Sequence, residues 1–600
     1  MLLSRIEMKM LEREDSSFSN TFCGTAGSGW VKVQEGDNGP AGGSEMTATL
    51  ITAPMIRHLH DGGDADLPTN MIKLGQKDLH IAPMIDVSTV EFRYFIRLLT
   101  KRAIIWNQMV ASETLVHRVR IYNESTGKDL MEGYDNDDVE SMQELKRYCG
   151  WYDGSIDDDP NFNCPHPTVF QIGSSSPVGA AFATRVAHKC GYDAIDLNCG
   201  CPSDKVVERC FGAALMKLQD VAAEIVSSMV NMAQSLENPE PVISVKTRIG
   251  ADDDDCFEFI SEFLQRLVDA GCRNFTLHAR KVYTDGLSPA QNRTIPPLNY
   301  PVVYRVMDHF PHCSFLINGG IMSIEHARKV AYGEDVHFDE NGNGMYKNTN
   351  NTSYCVNSDH AVPCEICNLP QGSCLGPPLI SPLNLTGVMV GRLARDRPAD
   401  LAAVDRYFYG EPTNPCGNRR EVMEKYISFL EKVYPRRCCD DDEMITMIGM
   451  AGYNNNMKIL PNRQFCSVCQ EFRSHNNEDD LCVSTLENAD IAVELETSSF
   501  VDHQQELKKR RAQRHAKYKG CKIVTGIIDR ALRPTWGILS GEKGNSAFRR
   551  ASEDLCRCIN VRNCGPAYVL WKAMQAAPDE IWDKPFDLSG ESKTSYYPSK

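Results

Sequence analysis

The sequence predicts an α/β protein: a TIM (β/α)8 barrel followed by a small all-helical domain, with long irregular insertions. Two patterns carry that expectation. From about residue 78 to 332, short apolar runs alternate with amphipathic stretches, and eight strands separated by helices is the number that closes such a barrel. The runs also end, one after another, on polar residues or glycine. Barrel strands do so at the face where their loops build a site.

In order, the expected strands are 79–82, 104–109, 168–171, 194–198, 242–246, 274–278 and 315–318, with an eighth at 387–390. Helical periodicity fills the gaps at 90–99, 177–190, 220–234, 257–270, 302–310 and 324–330. The barrel thus spans 78–410. Residues 411–435 hold a helix leading to a helical domain at 504–580, and 581–600 form a tail. Residues 1–77, rich in Gly, Ser, Thr and Asp, are expected to be a disordered extension. Three segments break the pattern. Residues 122–165 are acidic, 333–384 are rich in Asn, Gly, Cys and Pro, and 436–503 mix acidic runs with asparagines. They are expected to leave the barrel and helical domain as largely disordered surface insertions.

The net charge of −16 over 600 residues excludes a protein that coats nucleic acid with its whole surface, but not one with a local basic patch. No apolar window is long enough for a membrane span, and the acidic N-terminal stretch fits neither a secretory signal nor a transit peptide. The 24 cysteines are scattered, so mostly free thiols in the cytoplasm are expected.

The strand ends supply the chemistry. The first leads to Pro83, Met84 and Ile85, the third ends on Gln171, and the fourth ends on Asn198 and leads to Cys201. Lys246, His278, Asn318-Gly319-Gly320 and Gly391-Arg392 close the fifth to eighth. Glycines followed by helices after strands seven and eight, with a guanidinium, suit a phosphate. Lys246 and His278 stand where a cation or donor would face the polar edge of a cofactor ring. Taken singly, a Gly-Gly is a turn, His278 a core histidine and Cys201 a space-filling thiol. Their recurrence at equivalent strand ends is what points to a site.

Several motifs carry a family resemblance. Ala82-Pro-Met-Ile-Asp86, Gln171-Ile-Gly-Ser, Leu197-Asn-Cys-Gly-Cys-Pro-Ser-Asp204, Phe211-Gly-Ala-Ala-Leu-Met216, Val245-Lys-Thr-Arg-Ile-Gly250 and Ile317-Asn-Gly-Gly-Ile321 resemble those of the tRNA-dihydrouridine synthases. The stretch from His278 to Leu298, with Gly387-Val-Met-Val-Gly-Arg392 and Val404-Asp-Arg-Tyr-Phe-Tyr-Gly410, is similar to the bacterial DusA-type subfamily. The resemblance implies an FMN barrel and a helical domain that together clamp a tRNA, with NADPH as reductant. It implies reduction of the C5=C6 bond of a D-loop uridine, at position 20 or 20a. Carried over by motif, Pro83, Met84, Ile85, Gln171, Lys246, His278, Asn318, Gly319, Gly320, Gly391 and Arg392 bind FMN. Cys201 is then the proton donor and Asn198 positions the uridine. The relatives' Thr-Glu-Met after the second strand reads Asn107-Gln108-Met109 here, so no carboxylate stands at that place.

A tRNA substrate requires cations and a flipped base. Residues 501–550 hold thirteen Lys and Arg against four Asp and Glu, including Lys508, Lys509, Arg510, Arg511, Arg549 and Arg550. Arg280, Lys281 and Arg293, after the sixth strand, are further candidates for tRNA contact. The bland alternative for the late cluster is a solvated basic helix. Two Cys-x-x-Cys pairs, Cys364 with Cys367 and Cys466 with Cys469, form a weak zinc candidate, with free thiols as the alternative. The chain is expected to act as a monomer. Two competing functions remain at this level: another FMN barrel oxidoreductase acting on a free pyrimidine, and a catalytically inactive tRNA-binding chaperone.

Overall fold

The computed structural model describes residues 71–74, 76–136, 138–150, 167–236, 239–333, 337–338, 344–347, 382–434, 528–557 and 565–586. They divide into two compact units. The first lies within 71–84, 103–150 and 167–390, and the second within 85–102 and 391–586.

Eight parallel strands form the first unit: β1 (Asp78–Ile81), β2 (Ile104–Trp106), β3 (Thr168–Gly173), β4 (Ala194–Cys199), β5 (Val242–Arg248), β6 (Asn274–His278), β7 (Ser314–Asn318) and β8 (Leu385–Val390). Their spatial order is β2-β1-β8-β7-β6-β5-β4-β3, and pairing of Ile105 with Thr168 and Trp106 with Val169 closes the ring. All eight expected strands are present, and β6 has the expected bounds. The second ends early, at Trp106: the Asn107 N–H still donates to the Val169 carbonyl at 3.1 Å, but its side-chain oxygen, not its carbonyl, accepts the Gln171 N–H at 2.7 Å.

Side chains along a strand alternate between faces. Ala82, Ile104, Trp106, Val169, Ala194, Leu316 and Met389 are buried in one cluster, and Val242 packs against it. They share one parity along their strands and fill the barrel interior with apolar bulk, as a closed barrel requires. Two or four residues further along the same strands stand Gln171, Asp196, Asn198, Ser244, Lys246 and Asn318, with Thr276 of β6 paired to Lys246. The interior therefore changes from apolar to polar toward the carboxyl ends.

Two stretches read as irregular carry ordered elements. The acidic segment after residue 122 is helical where described: Ser112–Thr126, Leu130–Asp135 and Val139–Tyr148. Its acids work as helix caps. Asp129 accepts the N–H groups of Met131 and Glu132 at 2.9 and 3.2 Å, and Asp138 accepts that of Ser141 at 2.9 Å. Buried Leu130 and Leu145 anchor these helices. Met71–Leu74 pairs antiparallel with Gly344–Lys347, which pairs in turn with His337–Phe338. Strands of two to four residues are too short for alternation to register in a sequence.

The second unit is helical. Val90–Leu99 packs on Arg419–Val433, with Tyr94 stacked on Phe429 at 4.0 Å and Phe95 edge-on to Tyr426 at 5.0 Å. Buried Glu91 accepts from Arg530 at 2.9 Å and from the Tyr434 hydroxyl. Asn545–Arg557, Pro566–Met574 and Asp579–Asp583 complete it, with Phe548 against Trp582. Among the described residues no helix is long and apolar enough to cross a membrane.

Candidate active site

The β3–β7 ladders bring several of the candidate side chains together. Register pairs Gln171 with Asp196, Asp196 with Ser244, Asn198 with Lys246, Arg248 with His278, and His278 with Asn318. Residues paired across parallel strands lie side by side on one face. A polar belt thus runs along the carboxyl rim of adjacent strands.

Cys201 lies just beyond β4, on a turn that its own sequence builds. The Asn198 side-chain oxygen accepts the N–H groups of Gly200 at 3.1 Å and Cys201 at 2.9 Å. This is the short Asx loop that asparagine favours. The Cys201 carbonyl accepts the Ala213 N–H at 3.0 Å. Gly212, at φ +64°, passes so close that a Cβ there would stand 2.8 Å from the same carbonyl. The thiol is half-buried, and burial raises its pKa. A hydrogen bond from the Ser203 backbone and the positive charges of Arg248, Lys246 and Arg293 oppose that rise.

Lys246 is brought down from the usual lysine range by burial and by Arg248, with Asp196 acting in the other sense. Asp196 is fully buried, and burial raises its carboxyl despite donors from Gln171 at 2.8 Å and Ser244 at 2.9 Å. The Gln171 oxygen in turn accepts from the Asn198 amide at 2.9 Å. Arg248 is buried, and its guanidinium donates to the carbonyls of Gly200, Lys281 and Asn292 at 3.4, 3.3 and 3.0 Å.

His278 is buried against the turn after β7. Gly319 and Gly320 have φ of +116° and +73°, and a Cβ on Gly319 would lie 2.7 Å from the His278 ring. The Asn318 amide donates to the Met389 carbonyl at 2.9 Å, tying β7 to β8. Pro83 and Met84 follow β1 at intermediate exposure. Ile85, exposed, and Gly391-Arg392, which open the short helix Arg392–Asp396, belong to the second unit.

The three cations after β6 differ. Arg293 is exposed, and its charge acts on Cys201. Arg280 donates to the Thr294 and Pro296 carbonyls, and Lys281 pairs with Asp255 at 2.7 Å, so both hold loops in place. Arg549 and Arg550 are exposed on Asn545–Arg557, where Arg549 pairs with Glu553 and lies over the Trp536 ring. Lys508, Lys509, Arg510 and Arg511, and the cysteines Cys364, Cys367, Cys466 and Cys469, lie outside the described residues. Among the described residues no group of three or more His, Cys, Asp or Glu could hold a metal ion.

Asp196 and Ser244 were missed by reading only strand ends, and Arg248 because the fifth strand was expected to stop at Lys246. A signal for them exists: a carboxylate and a guanidinium at inward positions of buried strands are anomalous unless a site employs them.

A closed parallel barrel whose carboxyl rim gathers a thiol, a buried arginine, a half-buried lysine and oriented amides has the groups that acid–base chemistry needs. A family profile described as "Dihydrouridine synthase (Dus)" matches residues 80–335. The "tRNA-dihydrouridine(20/20a) synthase" of Vibrio cholerae is 30% identical over 355 residues, covering 59% of this chain and 80% of that one. The protein of the same name from Pasteurella multocida is 32% identical, with 59% and 79% covered, and that from Escherichia coli K12 is 31% identical, with 55% and 69% covered. The chain belongs to the dihydrouridine synthase family.

Proposed function

We propose that this chain reduces the C5=C6 bond of uridine 20 or 20a in tRNA, with FMN as cofactor and NADPH as reductant. The position follows the names of the relatives. The observation that carries the reading is Cys201, held by Asn198 on a turn at the carboxyl end of β4, with Lys246 registered beside Asn198 on β5.

The residues fit a flavin mononucleotide. Gly319 and Gly320, at positive φ and without a Cβ, let the turn after β7 pack closely on His278 and Leu298 and so hold the His278 ring at the rim. Lys246 offers a cation on the rim, where negative charge on a flavin ring would be met, and buried Gln171 supports Asn198 beside it. Bound there, FMN would supply hydride for C6 of the uracil ring. Cys201 supplies the proton at C5. A thiol kept protonated by burial suits that role, because a general acid must hold its proton until the carbon takes it. Asn198 holds the thiol's backbone and stands beside the space where the base would enter. Reaching that base requires the uridine to leave its stack.

Replacing Cys201 by Ala tests the reading. Turnover on unmodified tRNA should fall by about 100-fold or more, the usual weight of a general acid. The variant should still bind flavin and still be reduced by NADPH. Full activity on tRNA would overturn the assignment of the acid.

A further inference from the structure

We infer that Asp196 is a positioning residue, resting on the reading of Cys201 as the acid: its carboxylate orients two amides in series and so fixes the turn that carries the thiol. The connection is continuous. Gln171 donates from Nε2 to Asp196 Oδ2 at 2.8 Å, and Asn198 donates from Nδ2 to Gln171 Oε1 at 2.9 Å. Asn198 Oδ1 then accepts the backbone N–H groups of Gly200 and Cys201. Asp196, Gln171 and Ser244 are buried at 1% exposure or less, so water does not substitute for these partners.

With Asp196 ionised, the form that the donors Gln171 and Ser244 and the charge of Lys246 favour against burial, donor and acceptor counting sets the direction. An ionised carboxylate only accepts, so the face of Gln171 toward Asp196 must be its NH2. That leaves Oε1 toward Asn198, whose NH2 must answer it. The Asn198 oxygen is thereby left for two N–H donors that nothing but an acceptor satisfies. Reversing either amide would set donor against donor inside the barrel, which costs more than the bond is worth in water. Without an acceptor at position 196, Gln171 loses the partner that fixes its sense. The next amide and the turn at Cys201 lose a restraint with it.

The other oxygen of Asp196 separates this role from a charge effect on Lys246. It accepts from Ser244 Oγ at 2.9 Å, and a hydroxyl can turn to accept as readily as it donates. In Asp196→Asn, the amide oxygen can therefore still face Gln171 while its NH2 faces Ser244. The relay survives and the negative charge is gone.

The experiment uses the full-length flavoprotein and follows two steps: reduction of the flavin by NADPH, and its reoxidation by an unmodified tRNA transcript. Asp196→Asn should reoxidise within about threefold of the wild type. Asp196→Leu, of similar volume with no acceptor, should reoxidise at least tenfold more slowly while its reduction by NADPH stays within about threefold. Asp196→Ala, which removes the acceptor without bulk, should show the same split. A leucine or alanine variant that reoxidises at the wild-type rate overturns the inference. So does an Asn variant as slow as Leu, which would make the charge the operative feature. Loss of flavin in both apolar variants overturns it too, since Asp196 would then support the cofactor or the barrel itself. Failure of the wild type to be reoxidised by tRNA would defeat the functional reading as well, and the variants alone cannot produce that result.

Discussion

At the scale of single residues, the thiol is the group whose environment makes the sharpest demand. Burial raises Cys201, and three nearby cations and the Ser203 N–H only partly oppose it. Alkylation requires the thiolate, so its rate rises with pH through the thiol pKa. Labelling of Cys201 by iodoacetamide, followed by peptide mass, should therefore reach its midpoint above about pH 8.5, the value of an unperturbed cysteine. A midpoint below that would mean that Arg248, Lys246 and Arg293 prevail, and would suit a nucleophile better than an acid. Much of this site was legible in the sequence. Cys201, Asn198, His278 and Asn318 stand at or next to strand ends, and Lys246 two residues before one, where a reading of polar termini finds them. Asp196 and Ser244 escaped that reading because their place depends on register and inward parity, and Arg248 because β5 runs two residues past the expected end at Lys246. Arg280 and Lys281 looked like free cations, because charge in a sequence does not show that Asp255 or a carbonyl already occupies it.

At the scale of elements, the turn after β7 shows how glycines let a strand end pack tightly on a neighbouring candidate site residue. Gly319 has a φ of +116° that L side chains rarely adopt, and its missing Cβ would press on the His278 ring at 2.7 Å and on Leu298 at 3.1 Å. The Tyr300 hydroxyl donates to the Gly319 carbonyl at 2.5 Å, so the turn has little freedom to yield. Gly319→Ala should destabilise the protein by about 1–3 kcal/mol, the usual weight of such backbone strain. It should also lower the flavin retained through purification. Thermal melts and the absorbance ratio of flavin to protein measure both. An alanine variant with unchanged melting and full flavin would show that this turn neither strains nor binds. The elements themselves were legible to within two residues for seven of the eight strands, because each apolar run is long enough to bury and ends in a turn. The exception, β2, stops at Trp106 because the Asn107 side chain takes over a ladder position, which no periodicity records. The acidic segment misled for a related reason. Acids that suggest a solvated loop are here the caps of helices, and only Leu130, Met131 and Leu145 hinted at a buried face.

At the scale of the whole molecule, charge sets the problem. A chain of net charge −16 repels a polyanion over most of its surface, so association with tRNA depends on where its cations concentrate. Thirteen of them fall within residues 501–550, against four acids. Exposed Arg549 and Arg550 lie on a helix of the second unit, and Arg549 is already shared between Glu553 and the Trp536 ring. The run Lys508-Lys509-Arg510-Arg511 has no acid within it. It should therefore carry more of the binding than the arginine pair does. Reversing all four to Glu should weaken tRNA binding at physiological salt and flatten its dependence on salt. The slope of log affinity against log salt should lose about 0.7–0.9 for each phosphate contact removed. Reversing Arg549 and Arg550 should change the slope by less, since one of the two gives up a partner to make the contact. Filter binding of unmodified tRNA across a salt series measures both variants, with flavin content as the check that the barrel is intact. Equal slopes for the four-residue variant and the unaltered protein would remove 508–511 from the interface, and the search for the tRNA surface would then move to Arg293 beside the thiol.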